Sequence, residues 1–347
     1  MAVAIKPLTE AADAAWDAFV FAHPAGTFFH RAAWRDVIAR AFGHAPLYAL
    51  AERDGAIVGV LPLFHMKSRL FGQALVSNPF CVYGGPLAAD DEAAAALAAY
   101  AAGLMRKLSL PSVEFRTAPA ETCPLAEGWI EGPARYVTFR KAIAVEDEAN
   151  LAAIPRKQRA MVRKGIGNGL TSRVGAAVDP FYRIYAESVR NLGTPVFSRR
   201  YFRLILEAFA DCADVLAVLD GEAPIAAVLN FYFRDEVLPY YGGGIALARG
   251  RAANDFMYWE VMRRAAARGT RLFDFGRSKL GTGAFSFKKN WGFSPTPLGY
   301  RYLLAPGAAI PDNNPLNPKY RLMIAVWKRL PLALANRLGP PIVRGIG

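Results

Sequence analysis

A weak internal duplication constrains this chain more than any other feature of its sequence. Residues 50–64 read as two strands around Asp54-Gly55, a dipeptide that accepts positive φ at both positions of a tight hairpin. A further strand region ends in Tyr83-Gly84-Gly85-Pro86. A helix over about 90–108 follows, with acids in its first turn and Arg106 and Lys107 in its last, as the helix dipole favours. The short strand Val113-Glu114-Phe115-Arg116 closes the unit. The second half repeats the order: paired strands over 215–233 around Asp220-Gly221, the loop Tyr240-Tyr241-Gly242-Gly243-Gly244, a helix over about 254–268, and a strand over 271–275. Each half is therefore expected to be a mixed sheet with flanking helices, an α/β (α+β) architecture present in two copies. A doubly wound nucleotide-binding sheet would open with a glycine fingerprint, and neither GxGxxG after an early strand nor a P-loop is present.

At 347 residues, two domains are the natural expectation. The boundaries read as 1–148 for the first copy and 149–305 for the second, with a basic entry segment at 154–173 and a basic C-terminal extension at 306–347. Forty-two basic against 29 acidic residues leave a net charge of +13, which suggests an anionic partner. Cys81, Cys123 and Cys212 are far apart and form no CxxC, so neither a disulfide framework nor a zinc site is expected. The first residues lack a basic region followed by an apolar run, and no stretch reaches the roughly 18 apolar residues of a spanning helix. The expectation is a cytoplasmic protein, peripheral to the inner face of the membrane at most.

The entry segment runs Ile154-Pro155-Arg156-Lys157-Gln158-Arg159 through Arg163-Lys164 to Arg173 without an acid, and Gly165, Gly167 and Gly169 are expected to interrupt any helix there. Helices are predicted over 180–189 and 198–210. Residues 306–318 look extended, and residues 319–347 carry six basic residues and no acid. There Tyr320, Met323, Ile324 and Trp327 share one helical face, Arg321 and Lys328 share another, and Pro331 breaks the helix.

Taken in order, Phe28-Phe29-His30 through Trp34, the glycine loop before Pro86, Ile154-Pro155-Arg156-Lys157, Phe273-Asp274-Phe275-Gly276-Arg277-Ser278 and Phe287-Lys288-Lys289-Asn290-Trp291-Gly292-Phe293 resemble the FemAB family. Within it, the chain looks like the members encoded beside exosortase (PEP-CTERM) and exopolysaccharide systems. The resemblance implies a tandem duplicated GNAT-like acyl-CoA N-acyltransferase fold. It also implies transfer of an aminoacyl or acyl group to an amine of a peptidoglycan or exopolysaccharide precursor. The donor would be aminoacyl-tRNA or acyl-CoA, with no tightly bound cofactor and no metal. Alternatives are an acyl-CoA-dependent transferase acting on exopolysaccharide amino sugars and a non-catalytic RNA- or membrane-binding module.

Direct aminolysis needs a neutral amine, aligned reactants and a stabilised oxyanion, but no covalent nucleophile. Lys288, which matches the lysine of the family's Phe-Lys motif, is the candidate for the oxyanion. Asp274 is a candidate proton acceptor, with Arg277 and Ser278 beside it to bind a phosphate or carboxylate. Lys289, Tyr83, Tyr240 and Tyr241 are candidate substrate contacts, and Arg156 and Lys157 would grip a diphosphate-linked sugar or a tRNA backbone. Asn254 and Asp255 open the helix that would cradle a CoA pyrophosphate. Arg249-Gly250-Arg251-Ala252 does not match the usual glycine loop, however, and a helix N-cap is the simpler reading of Asn254 or Asp255. The segment 319–347 would contact an anionic membrane bearing a lipid-linked precursor. His23, His30, His44 and His65 form no HxxE or HExxH pattern, and GxSxG is absent, so hydrolase chemistry has little support.

Overall fold

The computed structural model describes residues 2–68, 71–118, 127–310 and 318–346, and Cys123 lies outside them. The chain divides into two compact units, Met1–Arg135 with Pro297–Asn313 and Arg344–Gly347, and Tyr136–Thr296 with Asn314–Val343. This division differs from cuts at 148 and 305 because of where two strands pair. The strand Tyr136–Ala142 lies antiparallel to Leu272–Asp274 in the second unit, and Tyr300–Leu304 lies antiparallel to Ser112–Arg116 in the first. One sheet in each unit is thus extended by a strand from the other half of the sequence.

In the first unit, β1 (Ala49–Arg53) and β2 (Ala56–Leu61) form the expected hairpin, with φ of 53° at Asp54 and 80° at Gly55. Pro62 follows at once. It has no N–H to give a sheet ladder, and the chain passes there from a four-stranded sheet to a six-stranded one through β3 (Leu63–Ser68) and β4 (Gly72–Ser77). Helix α1 (Asp91–Lys107) is capped by Asp90, whose carboxylate accepts from the Ala93 N–H at 2.9 Å. Its Ala93, Leu97, Ala101 and Met105 face the core, and β5 (Ser112–Arg116) then pairs parallel with β4.

The second unit carries the larger sheet. Its elements include β6 (Tyr136–Ala142), α2 (Arg156–Gly167), β7 (Thr171–Gly175), α3 (Val178–Leu192), α4 (Arg199–Ala208), β8 (Ala213–Asp220), β9 (Ala223–Phe233), β10 (Glu236–Gly244), α5 (Ala246–Gly250), α6 (Ala253–Ala267), β11 (Leu272–Asp274), β12 (Ser278–Lys279) and α7 (Gly283–Asn290). The strand order is β7-β8-β9-β10-β11-β6-β12. The counterpart of the broken β2–β3 run is β9, a continuous 11-residue strand. Beneath α6 lies a core of Phe139, Val228, Val237, Phe256, Trp259, Phe273, Phe275 and Trp291.

Two local expectations are corrected. Helix α2 runs through Gly165 to Gly167 instead of breaking, because a Cβ at Gly165 would lie 2.7 Å from the Phe256 Cβ, so the glycine is what lets α2 press on α6. Helix α6 is not capped by Asn254 or Asp255. Its cap position is Ala252, at φ 59°, with no side-chain cap bond. The C-terminal helices α8 (Pro318–Trp327) and α9 (Leu332–Val343) are separated at Pro331 as expected. The face containing Met323 and Ile324 is split, however: Ile324 meets Gly193 while Met323 is exposed.

Candidate active site

The feature that marks a candidate site in the second unit is the parting of β10 and β11. They pair in parallel only at Glu236↔Leu272 and Val237↔Phe273. On its other side β10 slips register, since Leu229 opposes Tyr241 while Asn230 opposes Pro239, making Tyr240 the extra residue of a β-bulge. A bulge bends its strand and re-aims the side chains around it. Tyr240 is half-buried on Phe231, and a Cβ at Gly276 would meet its ring at 3.8 Å. The three glycines that follow admit close neighbours. A Cβ at Gly243 would collide with Ser188 of α3, and one at Gly244 with Ala248 and Asn254.

Where β11 ends, the chain turns through Phe275-Gly276-Arg277 with Gly276 at φ 67°, a left-handed conformation that favours glycine. Two charged side chains fix this turn. Asp274 is fully buried. One of its oxygens accepts from the Gly276 N–H at 2.6 Å and from the Thr138 hydroxyl at 3.1 Å, and the other lies 3.5 Å from Arg140 Nε. Lys288 arrives from α7, whose start is capped by Thr282. Its Nζ donates to the carbonyls of Phe275, Gly276 and Arg277 at 2.6, 3.0 and 3.1 Å. An ammonium has three protons, and these carbonyls take all three. Burial pulls the Lys288 pKa down to about 7, helped by Arg277 and opposed by the Asp274 charge. Lys288 is therefore first a clamp on the turn. To donate to an oxyanion it must release one of those carbonyls.

The sequence reading missed Glu236. It is buried beside Asp274, and its Oε1 accepts from Arg140 Nη2 at 2.8 Å and from Nε at 3.1 Å. Burial first, and the Asp274 charge second, raise its pKa to about 8 against the pull of Arg140. The available signal was alternation along β10, which puts Glu236 and Leu238 on one face.

The other expected residues are distributed as follows. Arg277 stacks on the Tyr136 ring at 4.7 Å. Ser278 is buried, and its hydroxyl has no partner among the described residues. Lys289 is exposed next to the clamp. Tyr241 points into the core: its hydroxyl bonds that of Tyr201 at 2.9 Å, and its ring packs among Tyr185, Phe197 and Phe202. Tyr83 belongs to the first unit, where it is buried against Phe29. The four histidines also lie in the first unit, His30 fully buried with Nε2 3.0 Å from the Gly85 carbonyl. Asp255 is buried and accepts from the Trp291 indole at 3.0 Å, with its pKa raised by burial. Asn254 keeps a buried Oδ1 with no partner among the described residues. Arg251, in the preceding loop, is tied to Asp220 at 2.6 Å and to the Asn168 carbonyl at 2.9 Å.

Helix α2 starts with Arg156 and Lys157 exposed and no acid in its first turn. A helix N-terminus is already positive, so cations there are unfavourable without an anion. Arg163 and Lys164 repeat the pair seven residues on, along the same stripe, and none of the four forms an ion pair among the described residues. Pro155 abuts Gly292, where a Cβ would lie 2.9 Å from its Cδ, so this basic helix begins beside the segment that follows α7.

Residues 152–289, which include β10, β11 and Lys288, match the family described as acetyltransferase (GNAT) domain. No curated protein is detectably similar in sequence. Among solved structures, that of FemX superposes with a TM-score of 0.66 at 16% identity, over 87% of this chain and 97% of that one. The C-terminal domain of a putative lysylphosphatidylglycerol synthetase from Agrobacterium fabrum gives 0.57 at 14% identity, over 86% and 93% of the two chains. A tandem GNAT protein from the clavulanic acid biosynthesis pathway gives 0.54 at 14% identity, over 89% and 100%. At such identities these likenesses speak to fold. The architecture is tandem GNAT-like, and the match over residues 152–289 supports an acyltransferase.

Proposed function

We propose that the chain transfers an aminoacyl group from an RNA-borne ester to an amine of an anionic cell-envelope precursor, by direct aminolysis in the slot between β10 and β11. The observation that carries this reading is the Lys288 ammonium, held on the turn that follows β11 where the two strands part. In the reaction the amine lone pair attacks the ester carbonyl, and the C–N bond forms as charge moves onto oxygen. The carbonyl then re-forms as the C–O bond breaks, and the amine proton is passed to the departing ribose oxygen, which leaves as a hydroxyl. Lys288 supplies positive charge to the oxyanion by exchanging its longest carbonyl contact, at 3.1 Å, for the substrate oxygen. Asp274 is buried beneath the turn and acts as a positioning residue, fixing the Gly276 N–H, instead of accepting the amine proton itself.

Two features favour an RNA donor over CoA. The first turn of α6 holds the buried carboxylate of Asp255, which disfavours a pyrophosphate, and the Arg251 guanidinium is already committed to Asp220. The stripe of cations on α2, which forms no ion pair among the described residues, suits a phosphate backbone, and Arg156 and Lys157 lie at its end beside the segment after α7, the helix that carries Lys289. Peptidoglycan and exopolysaccharide precursors both offer the required amine, and the exosortase-associated resemblance points to the latter. The second reading, acyl transfer from acyl-CoA to an amino sugar, is favoured by the GNAT family match itself. Competition binding separates the two. An RNA donor predicts that charged tRNA binds more tightly than uncharged tRNA and that acetyl-CoA displaces neither. Tight acetyl-CoA binding without preference for charged tRNA would move the assignment to the CoA-dependent reaction.

A further inference from the structure

The C-terminal helix pair presents an apolar face that its own fold leaves uncovered. Helices α8 and α9 dock on the end of α3 through their inner sides. Ile324 sits so close to Gly193 that a Cβ there would lie 2.5 Å from it, and Gly339 approaches the Val196 backbone in the same way at 2.8 Å. Arg190 completes the joint by donating to the carbonyls of Lys328 and Leu330, the free ends left after α8. With that side committed, Leu322, Met323 and Val326 of α8 are 74%, 62% and 53% exposed, and Leu192 beside the joint is 69% exposed. Leu334 and Leu338, one turn apart on α9, are exposed as well. Large apolar side chains gathered in one element this way mark an interaction surface more than chance exposure.

The charges around this face select the occupant. Lys328, Arg329 and Arg337 are exposed, none forms an ion pair among the described residues, and residues 319–347 contain no acid. A second copy of the chain would bring like charges together, which opposes self-association. An anionic bilayer accepts both the apolar side chains and the cations. At 10 and 12 residues the helices are too short to cross a membrane, and such elements lie in the headgroup plane. We infer that the outward face of α8 and α9 binds the surface of a membrane containing anionic phospholipid. This goes beyond the transfer reaction and does not rest on it, since membrane binding is read without any turnover.

Co-sedimentation of the full chain with vesicles tests the inference. The protein pellets with phosphatidylglycerol-containing vesicles, stays in solution with phosphatidylcholine alone, and is released by salt. Each cation near the surface is worth roughly fivefold in partitioning, so the Lys328→Gln, Arg329→Gln, Arg337→Gln triple variant partitions about a hundredfold less. Met323→Ser with Val326→Ser, which leaves the charge unchanged, also weakens binding, whereas Arg163→Gln with Lys164→Gln on α2 does not. The inference is overturned by equal pelleting of the wild type and both face variants, or by no pelleting of the wild type. A concentration-dependent dimer that Met323→Ser dissociates would also overturn it, by assigning the face to a second copy.

Discussion

Replacing Lys288 with Met probes the clamp through the pH dependence of stability. The lysine has its ordinary value of 10.5 when the chain is unfolded and about 7 when folded, because burial disfavours the charged form. Between those values the unfolded chain holds more protons, so folding stability rises with pH across that window and is lowest, and flat, below it. At about 1.4 kcal/mol per unit the whole window is worth about 5 kcal/mol, and the part between pH 6 and pH 9 about 3 kcal/mol. The Met variant has no such rise. It also leaves the carbonyls of Phe275, Gly276 and Arg277 without their donor, at about 1 to 3 kcal/mol each. At pH 6 this loss, about 3 to 9 kcal/mol in all, is opposed by removal of the burial penalty of about 5 kcal/mol, so the two proteins should differ there by no more than a few kcal/mol. By pH 9 the wild type should have gained about 3 kcal/mol relative to the variant. Urea unfolding followed by tryptophan fluorescence at the two pH values reads this directly, and only the difference between the proteins matters, so other titrating groups cancel. A difference that does not change with pH would show that the three carbonyls and Asp274 hold the proton to its ordinary value, and the account of a lysine poised near neutrality would fail.

Glu236 should behave in the opposite sense. Its raised carboxyl makes stability fall as pH climbs toward about 8, so Glu236→Gln should be nearly silent at pH 5 and stabilising at pH 8.5 in thermal unfolding; equal effects at both pH values would contradict the raised carboxyl. Gly165→Val forces a side chain into Phe256 and should lower stability by about 1 to 3 kcal/mol, as overpacking does. Gly167, with no heavy atom near its Cβ position, provides the control, and Gly167→Ala should be neutral or slightly stabilising. Arg163→Gln with Lys164→Gln should reduce the salt slope of RNA binding by about 2 without altering thermal stability, and an unchanged slope would remove α2 from the donor site.

Much of the fold was legible because its signals are local. Asp54-Gly55 takes the two positive φ angles its hairpin needs, and Asp90 caps α1 with acids behind it and Arg106 and Lys107 at the far end. The exchange of Tyr136–Ala142 and Tyr300–Leu304 between the two units was not legible, since nothing in a strand names the edge it will join. For the same reason Glu236 escaped notice: its meaning comes from Arg140, 96 positions earlier, and from Asp274 on the neighbouring strand. Lys288 was found, but its three carbonyl partners were not, because they depend on the left-handed turn at Gly276. Tyr83 and Tyr241 were aromatic residues at loop and strand ends, and burial gave them to the core. A sequence shows that a tyrosine is present, whereas its accessibility is decided by elements such as α3 and α4 that pack over it.

The central claim is that the turn after β11, with Lys288 on it, is where the acyl group is transferred. Single-turnover transfer of a labelled amino acid from charged tRNA to an amine-bearing envelope precursor tests it most directly, comparing wild type, Lys288→Met and Lys288→Arg at pH 6, with urea unfolding showing that each is folded. The account predicts that Lys288→Met lowers the rate by about a hundredfold to a thousandfold, the scale of losing one oxyanion donor. Lys288→Arg, which keeps the charge, should recover part of that loss. Near-normal transfer by Lys288→Met would contradict the claim and leave Lys288 as a structural clamp alone.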